Sequence, residues 1–363
     1  MAVFAPLPAH IGAFFQLGDY GVAFFFVLSG FVLTYSMRPT TAKSTFYWRR
    51  FARIYPLHFV TLLLAIPVFY SFTPDPQDWW VKPFNAGILM LSVFLLQGWS
   101  RDPAILFSGN PAAWTLTVEA FFYALHPFLA AGLTRMGRRG AVIAAGVVAA
   151  VTIGIRVVVQ LDPGGWVAML PLPILRLNEF ALGMCLAWAF RLGWRVGVHP
   201  WWSAAGIVAV GATFVIAEQL APETPLFTIV AMILPAAMVL LFGALIATTS
   251  AAEIAGRVRW MTWRPLVALG QWSFAFYLIH ATVIYSARTL FGFQNPGWMN
   301  LLWFGGLLAV AIAGAAALHL LLERPVESRL RAWEARRRQR RALRRPRRAG
   351  ESGPVILPGE GSR

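Results

Sequence analysis

Four ionisable residues stand in stretches otherwise apolar enough to cross a bilayer: Glu119, Arg176, Glu179 and His280. A charge in hydrocarbon costs several kcal/mol unless it is paired or wetted, so each one is a candidate for chemistry. A buried carboxylate can orient or polarise a base, and a histidine of near-neutral pKa can take a proton from a hydroxyl. Arg176 and Glu179 are three apart and share one helical face. They either shape a polar pocket or pair to glue helices together. Glu119 lies roughly 10 Å from the outer end of its helix, and His280 roughly 24 Å from the inner end of its own. All four therefore fall in the outer half, where one polar pocket can gather them. His126 also lies inside a span, beside Pro127. A buried histidine next to proline commonly bonds a freed carbonyl.

A second group is Arg49, Arg50 and Arg53. If the segment is helical, Arg50 and Arg53 share a face. Two forked guanidiniums on one face suit a phosphate-bearing ligand. The plain alternative is a cytoplasmic anchor of positive charge. No His/Cys/Asp/Glu cluster has metal-ligand spacing, and the single cysteine, Cys185, forms no thiolate site or disulfide framework.

The elements that must position these residues are transmembrane helices. Of 363 residues 58% are hydrophobic and only 13% charged, about half the charged share of a soluble domain. No polar stretch is long enough to bury a core of its own, which excludes a soluble enzyme on a membrane anchor. Apolar segments fall at about 20–37, 56–73, 84–98, 112–133, 140–159, 174–191, 202–217, 226–248, 264–288 and 299–322.

The net charge is +16, and half of it lies in the tail, where Val326 to Arg363 holds twelve Arg against four Glu. Beside a membrane domain such a run marks the cytoplasmic side and touches anionic lipid, so nucleic acid is not expected as a partner. Basic connectors lie at Arg49–Arg53, Arg135–Arg139, Arg191–Arg195 and Arg257–Arg264; acidic or proline-rich ones lie near Asp75, Asp162 and Pro222. The first group is expected inside and the second outside.

Parity then requires that one segment between Arg53 and Arg135 is not a crossing. The 15 residues of 84–98 are too few for a span, and read as a re-entrant or interfacial helix. The expectation is an all-α bundle of nine full spans plus that helix. The membrane domain covers 1–325, and a basic, largely disordered cytoplasmic tail covers 326–363. This count puts Met1 outside, and the expectation is that one helix upstream of Met1 is missing.

Six segments, in order, carry a resemblance. They are Tyr20–Phe31 (YGVAFFFVLSGF), Arg49–Pro56 (RRFARIYP), Trp114–Tyr123 (WTLTVEAFFY), Arg176–Met184 (RLNEFALGM), Leu269–His280 (LGQWSFAFYLIH) and Glu323-Arg324-Pro325. Together they resemble the acyltransferase-3 family of membrane proteins, with Thr115 where the family has Ser. Each motif is weak alone; the ordered set spans residues 20 to 325.

The resemblance implies ten helices and transfer of an acyl group, often acetyl, from cytoplasmic acyl-CoA to a hydroxyl of a sugar-containing acceptor. Such acceptors include cell-surface glycans, nodulation factors and macrolides. It implies that Arg50 and Arg53, with Arg49 beside them, hold the coenzyme A phosphates. Glu119 orients or polarises the base; Ser29, Tyr277 and His280 line the same cavity; Arg176 and Glu179 shape the acceptor side. The family's base is a histidine ahead of the Gly21 signature. His10 is the one histidine there in this sequence, and a base upstream of Met1 is the alternative. The expected location is the bacterial cytoplasmic membrane, with the C-terminus inside.

Two other readings stay open: a transporter, though no internal repeat is visible, and a relative left inactive by loss of its first helix. The tryptophans of the outer loops, Trp79, Trp80 and Trp166, suit sugar stacking and an interfacial belt equally.

Overall fold

The computed structural model describes residues 4–7, 17–38, 40–220 and 224–343. His10 lies outside the described residues. Eleven helices dominate. They are α1 (Tyr20–Tyr35), α2 (Lys43–Phe69), α3 (Ala86–Val93), α4 (Trp114–Leu133), α5 (Arg138–Leu161) and α6 (Leu177–Arg191), then α7 (Pro200–Leu220), α8 (Pro225–Ile254), α9 (Arg264–Phe291), α10 (Asn300–Leu318) and α11 (Arg324–Leu343). A π-helical turn, His319–Glu323, joins the last two. The described strands are a two-residue parallel pair, β1 (Tyr70–Ser71) with β2 (Lys82–Pro83).

Among the described residues eight helical stretches are long and apolar enough to cross a membrane. They match eight of the nine expected spans. The ninth, α1, has 16 residues and is about 24 Å long, short of the roughly 30 Å of bilayer hydrocarbon. It is apolar on every side because it sits inside the bundle. Segment 84–98 contains only the eight-residue α3 and then irregular turns, as its length requires.

The centre of the bundle is the α1–α6 crossing. It is close because two glycines face backbone. A Cβ on Gly30 would collide with the Phe180 carbonyl, and one on Gly183 with the Val27 carbonyl. This is the small-residue packing by which helices associate in lipid. The core around it joins Phe26, Val27, Phe31, Phe122, Phe180 and Phe190, with α8 closing the far side. Outward-facing Ile143, Val147 and Val151 on α5 and Trp201, Trp202 and Val208 on α7 are exposed. Such apolar helix faces suit lipid rather than water.

Polar groups fix the helix ends. The α1 C-terminus lacks backbone donors for its last carbonyls, and Arg191 Nη1 donates to Thr34 O (3.1 Å), Tyr35 O (3.4 Å) and Met37 O (2.7 Å). Asn110 orients the start of α4: its Oδ1 accepts from Ala112 N (3.1 Å), and its Nδ2 donates to Leu278 O of α9 (2.6 Å).

The first part of the expected tail is helical, and residues 344–363 lie outside the described residues. Val326 to Leu343 belongs to α11 and packs on α2, where sequence composition reads disorder. The ion pairs Glu327–Arg331 and Glu334–Arg338, each at i,i+4, support the helix. Trp333 seats it, 5.0 Å from Trp48 between ring centroids.

Candidate active site

Glu119 is buried on α4, and two hydroxyls reach it. Ser29 Oγ of α1 donates to Glu119 Oε1 at 3.4 Å, and Tyr123 Oη, one turn along α4, donates to the same oxygen. Among the described residues Glu119 forms no ion pair. Its nearest cationic support is indirect. The Arg50 guanidinium lies over the Tyr123 ring, 5.6 Å from the centroid, and over Phe46 at 6.0 Å. Arg50 and Arg53 both act electrostatically on the carboxylate. The structure therefore joins Glu119, Tyr123 and Arg50 in a chain of contacts, from the bundle interior to the first turns of α2.

Arg50 and Arg53 sit on one face of α2, as the spacing requires, yet they are not equivalent. Arg53 is bound by two carboxylates: it pairs with Glu323, and with Glu327 at 3.4 Å. Glu323 in turn accepts His319 Nδ1 at 3.0 Å across the π turn, a distortion that recurs at functional sites. Arg50 forms no ion pair among the described residues, and its Nε is a buried donor without an acceptor. Arg49 is exposed. Of the three arginines expected to hold phosphate, Arg50 is the one that combines proximity to the carboxylate with an unfilled donor.

His126, also on α4, meets Thr34 Oγ1 at 3.2 Å and stacks on Phe46 with centroids 5.1 Å apart. It is tied to a side chain of α1 rather than to a carbonyl freed by Pro127. The Arg50 charge reaches it too.

Glu179 forms a second buried centre. Its Oε1 accepts Arg176 and Arg156, both at 2.5 Å, and its side chain is fully buried. Glu179 Oε2 has no partner. Next to it, Asn178 Nδ2 donates to Thr152 Oγ1 at 2.9 Å. The Arg176–Glu179 pairing follows from the i,i+3 spacing. Arg156 is the residue that sequence reasoning missed, although an arginine near the end of an apolar span was the signal to look for.

The structure does not gather all the expected residues into one cavity. Helices α4 and α6 meet through apolar rings, with Phe122 stacked on Phe180 at 4.8 Å, so Glu119 and Glu179 stay distinct centres. His280 is half-buried, bonds Tyr277 O of its own helix at 2.6 Å, and stacks on Phe276. Tyr277 packs with the α9 cluster around Leu278. Ser29 alone of the expected cavity-lining three is hydrogen-bonded to Glu119. Tyr123 and Thr34 are additions. Tyr123 was readable at i+4 from Glu119; Thr34 had no sequence signal. A groove of about 580 Å³ lined by Arg259, Trp260, Thr262, Trp263 and Leu266 is open and shares no residue with either centre.

Comparison with known proteins follows the same lines. A family described as an acyltransferase domain matches residues 2–320. The chain is 33% identical to Acyltransferase MdmB of Streptomyces mycarofaciens, over 85% of this chain and 81% of that protein. It is 31% identical to Nodulation protein 10 of Rhizobium leguminosarum bv. viciae, over 34% of this chain and 36% of that one. No solved structure matches.

Proposed function

The chain belongs to the acyltransferase-3 family of multi-pass membrane enzymes, and from that premise we propose that it moves an acyl group, typically acetyl, from cytoplasmic acyl-CoA to a hydroxyl of a sugar-containing acceptor. The membrane is then the bacterial cytoplasmic membrane, with α11 and the basic connectors inside. The observation that carries this reading is the line from Arg50 through Tyr123 to Glu119. It links a phosphate-ready guanidinium near the end of a helix to a buried carboxylate, as a long polyanionic donor with a distant thioester requires.

In this reading the coenzyme A phosphates rest at Arg50 and the exposed Arg49, and the thioester arm extends toward Glu119. The acceptor hydroxyl gives its proton to a base that Glu119 orients, and its oxygen bonds to the thioester carbonyl carbon. The carbon–sulfur bond then breaks, and the departing thiolate takes up a proton. Ser29 and Tyr123 hold the Glu119 carboxylate in place. Arg156, Arg176 and Glu179 shape the acceptor side. Arg53, already paired with Glu323 and Glu327, ties α2 to the C-terminal turn more than it binds donor.

The test is acyl-CoA consumption by the purified chain in lipid discs, with and without a glycan-type acceptor. Thioester cleavage that depends on acceptor and is weakened in Arg50→Gln supports the proposal. No cleavage by a folded chain with several acyl-CoA lengths and acceptors would favour a transporter or an inactive relative.

A further inference from the structure

We propose that Arg331 of α11 joins Arg50 and Arg49 of α2 in one binding site for the phosphate groups of the acyl donor, so that the C-terminal helix forms a wall of that site. The proposal rests on the donor reading above and adds a residue and an element to it.

The first ground is that α11 has a fixed seat. Trp48 Nε1 donates to Leu330 O at 2.9 Å, and its indole packs on Trp333. Thr45 Oγ1 donates to Glu334 Oε1 at 2.9 Å, and Arg338 Nη1 donates to Thr45 Oγ1 at 2.5 Å. These contacts lay residues 330–338 along the first turns of α2, beside Arg49 and Arg50.

The second ground is a shared carboxylate. Glu327 pairs with Arg331 through one oxygen and with Arg53 through the other, the latter at 3.4 Å. One acidic side chain thus holds guanidiniums from segments more than 270 residues apart in the same place. Arg49, Arg50 and Arg53 are all close enough to act on Arg331 electrostatically.

The third ground is unbalanced charge. Glu323 and Glu327 pair with Arg53 and Arg331, while Arg49 and Arg50 form no ion pair among the described residues and so leave two positive charges unmatched. Arg50 Nε is a buried donor with no acceptor, a condition that folded proteins rarely leave unmet. The Arg331 side chain is 44% exposed and so reachable from solution. A ligand carrying several phosphate oxygens answers both needs, since guanidiniums bind phosphate through paired, charge-assisted hydrogen bonds.

The experiment is titration calorimetry of coenzyme A into the full chain in phosphatidylcholine discs, repeated in discs containing phosphatidylserine. Arg331→Gln should weaken coenzyme A binding roughly tenfold, the loss expected for one charge-assisted phosphate contact. Arg331→Lys, which keeps the charge but loses the forked donors, should weaken it by a smaller factor than Arg331→Gln. Arg336→Gln, an exposed arginine of the same helix, should change nothing. If Arg331→Gln does not fold, Arg331→Lys decides: weaker coenzyme A binding supports the site, and unchanged affinity overturns it.

Unchanged coenzyme A affinity in a folded Arg331→Gln, with Arg50→Gln impaired, would overturn this inference and leave the donor reading intact. A loss of coenzyme A affinity in Arg331→Gln that appears only in the phosphatidylserine-containing discs would make Arg331 a lipid contact and equally overturn it. A folded wild-type chain that binds no coenzyme A would sink both.

Discussion

Glu119 and Glu179 are both carboxylates buried at the heart of one bundle, on helices α4 and α6 that touch, and they are treated in opposite ways. Glu179 receives two guanidiniums on one oxygen. Among the described residues Glu119 receives only the hydroxyls of Ser29 and Tyr123. A buried carboxylate with direct cationic partners is a satisfied element of structure; removal of either side leaves a bare charge. One held by hydroxyls alone is costly to keep in hydrocarbon, and such positions are characteristic of function. In the reading proposed above, the contrast puts the chemistry at Glu119, and helix clamping with acceptor shaping at the Glu179 centre.

Both centres depend on the α1–α6 crossing, so the strongest way to break the comparison is to remove its platform. Gly183→Leu drives a side chain into the Val27 carbonyl and should abolish monodisperse protein on size exclusion. A well-folded Gly183→Leu would show that the close crossing is not required.

Next in size is Glu179→Gln. It deprives Arg156 and Arg176 of their shared counter-charge and should lower stability by about 3–5 kcal/mol, the usual cost of breaking a buried ion pair, read by thermal unfolding in lipid discs. Adding Arg156→Gln should recover part of that loss. Additive losses in the double variant would mean that the two residues are not coupled.

Arg50→Gln should raise the donor KM by about tenfold, the worth of one charge-assisted contact, and leave the unfolding temperature close to wild type. Arg53→Gln should do the reverse, with a smaller KM effect and a larger stability loss, because it removes the guanidinium that Glu323 and Glu327 share. Equal effects on KM would erase the distinction between the two arginines.

The smallest effect concerns Lys82, in the connector between α2 and α3. Burial pushes its ammonium down to about 8, against the pull of Asp102. The folded state therefore holds this proton less tightly than the unfolded chain. Stability should rise as pH increases from about 8 toward the ordinary lysine value near 10.5. That increment should vanish in Lys82→Met, whereas an identical pH profile in the variant would show that burial of Lys82 is not what sets it.

Much of this was legible in the sequence, for specific reasons. The spans came from hydropathy, and the short 84–98 segment was set aside by length alone. Helix α2 begins at Lys43, well before the apolar stretch at residue 56, because its first turns are amphipathic and hydropathy does not register them. Glu119 and Glu179 stood out as charges in apolar sequence. By the same rule Arg156 and His319 were available, though each sits only a few residues from the end of its span. Contacts such as Arg53–Glu323, or Ser29 with Glu119, join residues 270 and 90 apart, and one sequence holds no record of such pairings. Helix α11 was hidden by its composition, although Trp333 and the i,i+4 Glu–Arg pairs are helix signals when read by spacing.

The most direct test of the contrast is to measure acyl transfer and thermal unfolding together for Glu119→Gln and Glu179→Gln in the same lipid discs. The account predicts that Glu119→Gln unfolds at or above the wild-type temperature with transfer abolished, while Glu179→Gln unfolds earlier and retains turnover at temperatures where it stays folded. Transfer that survives in Glu119→Gln would contradict it and make Glu119 structural.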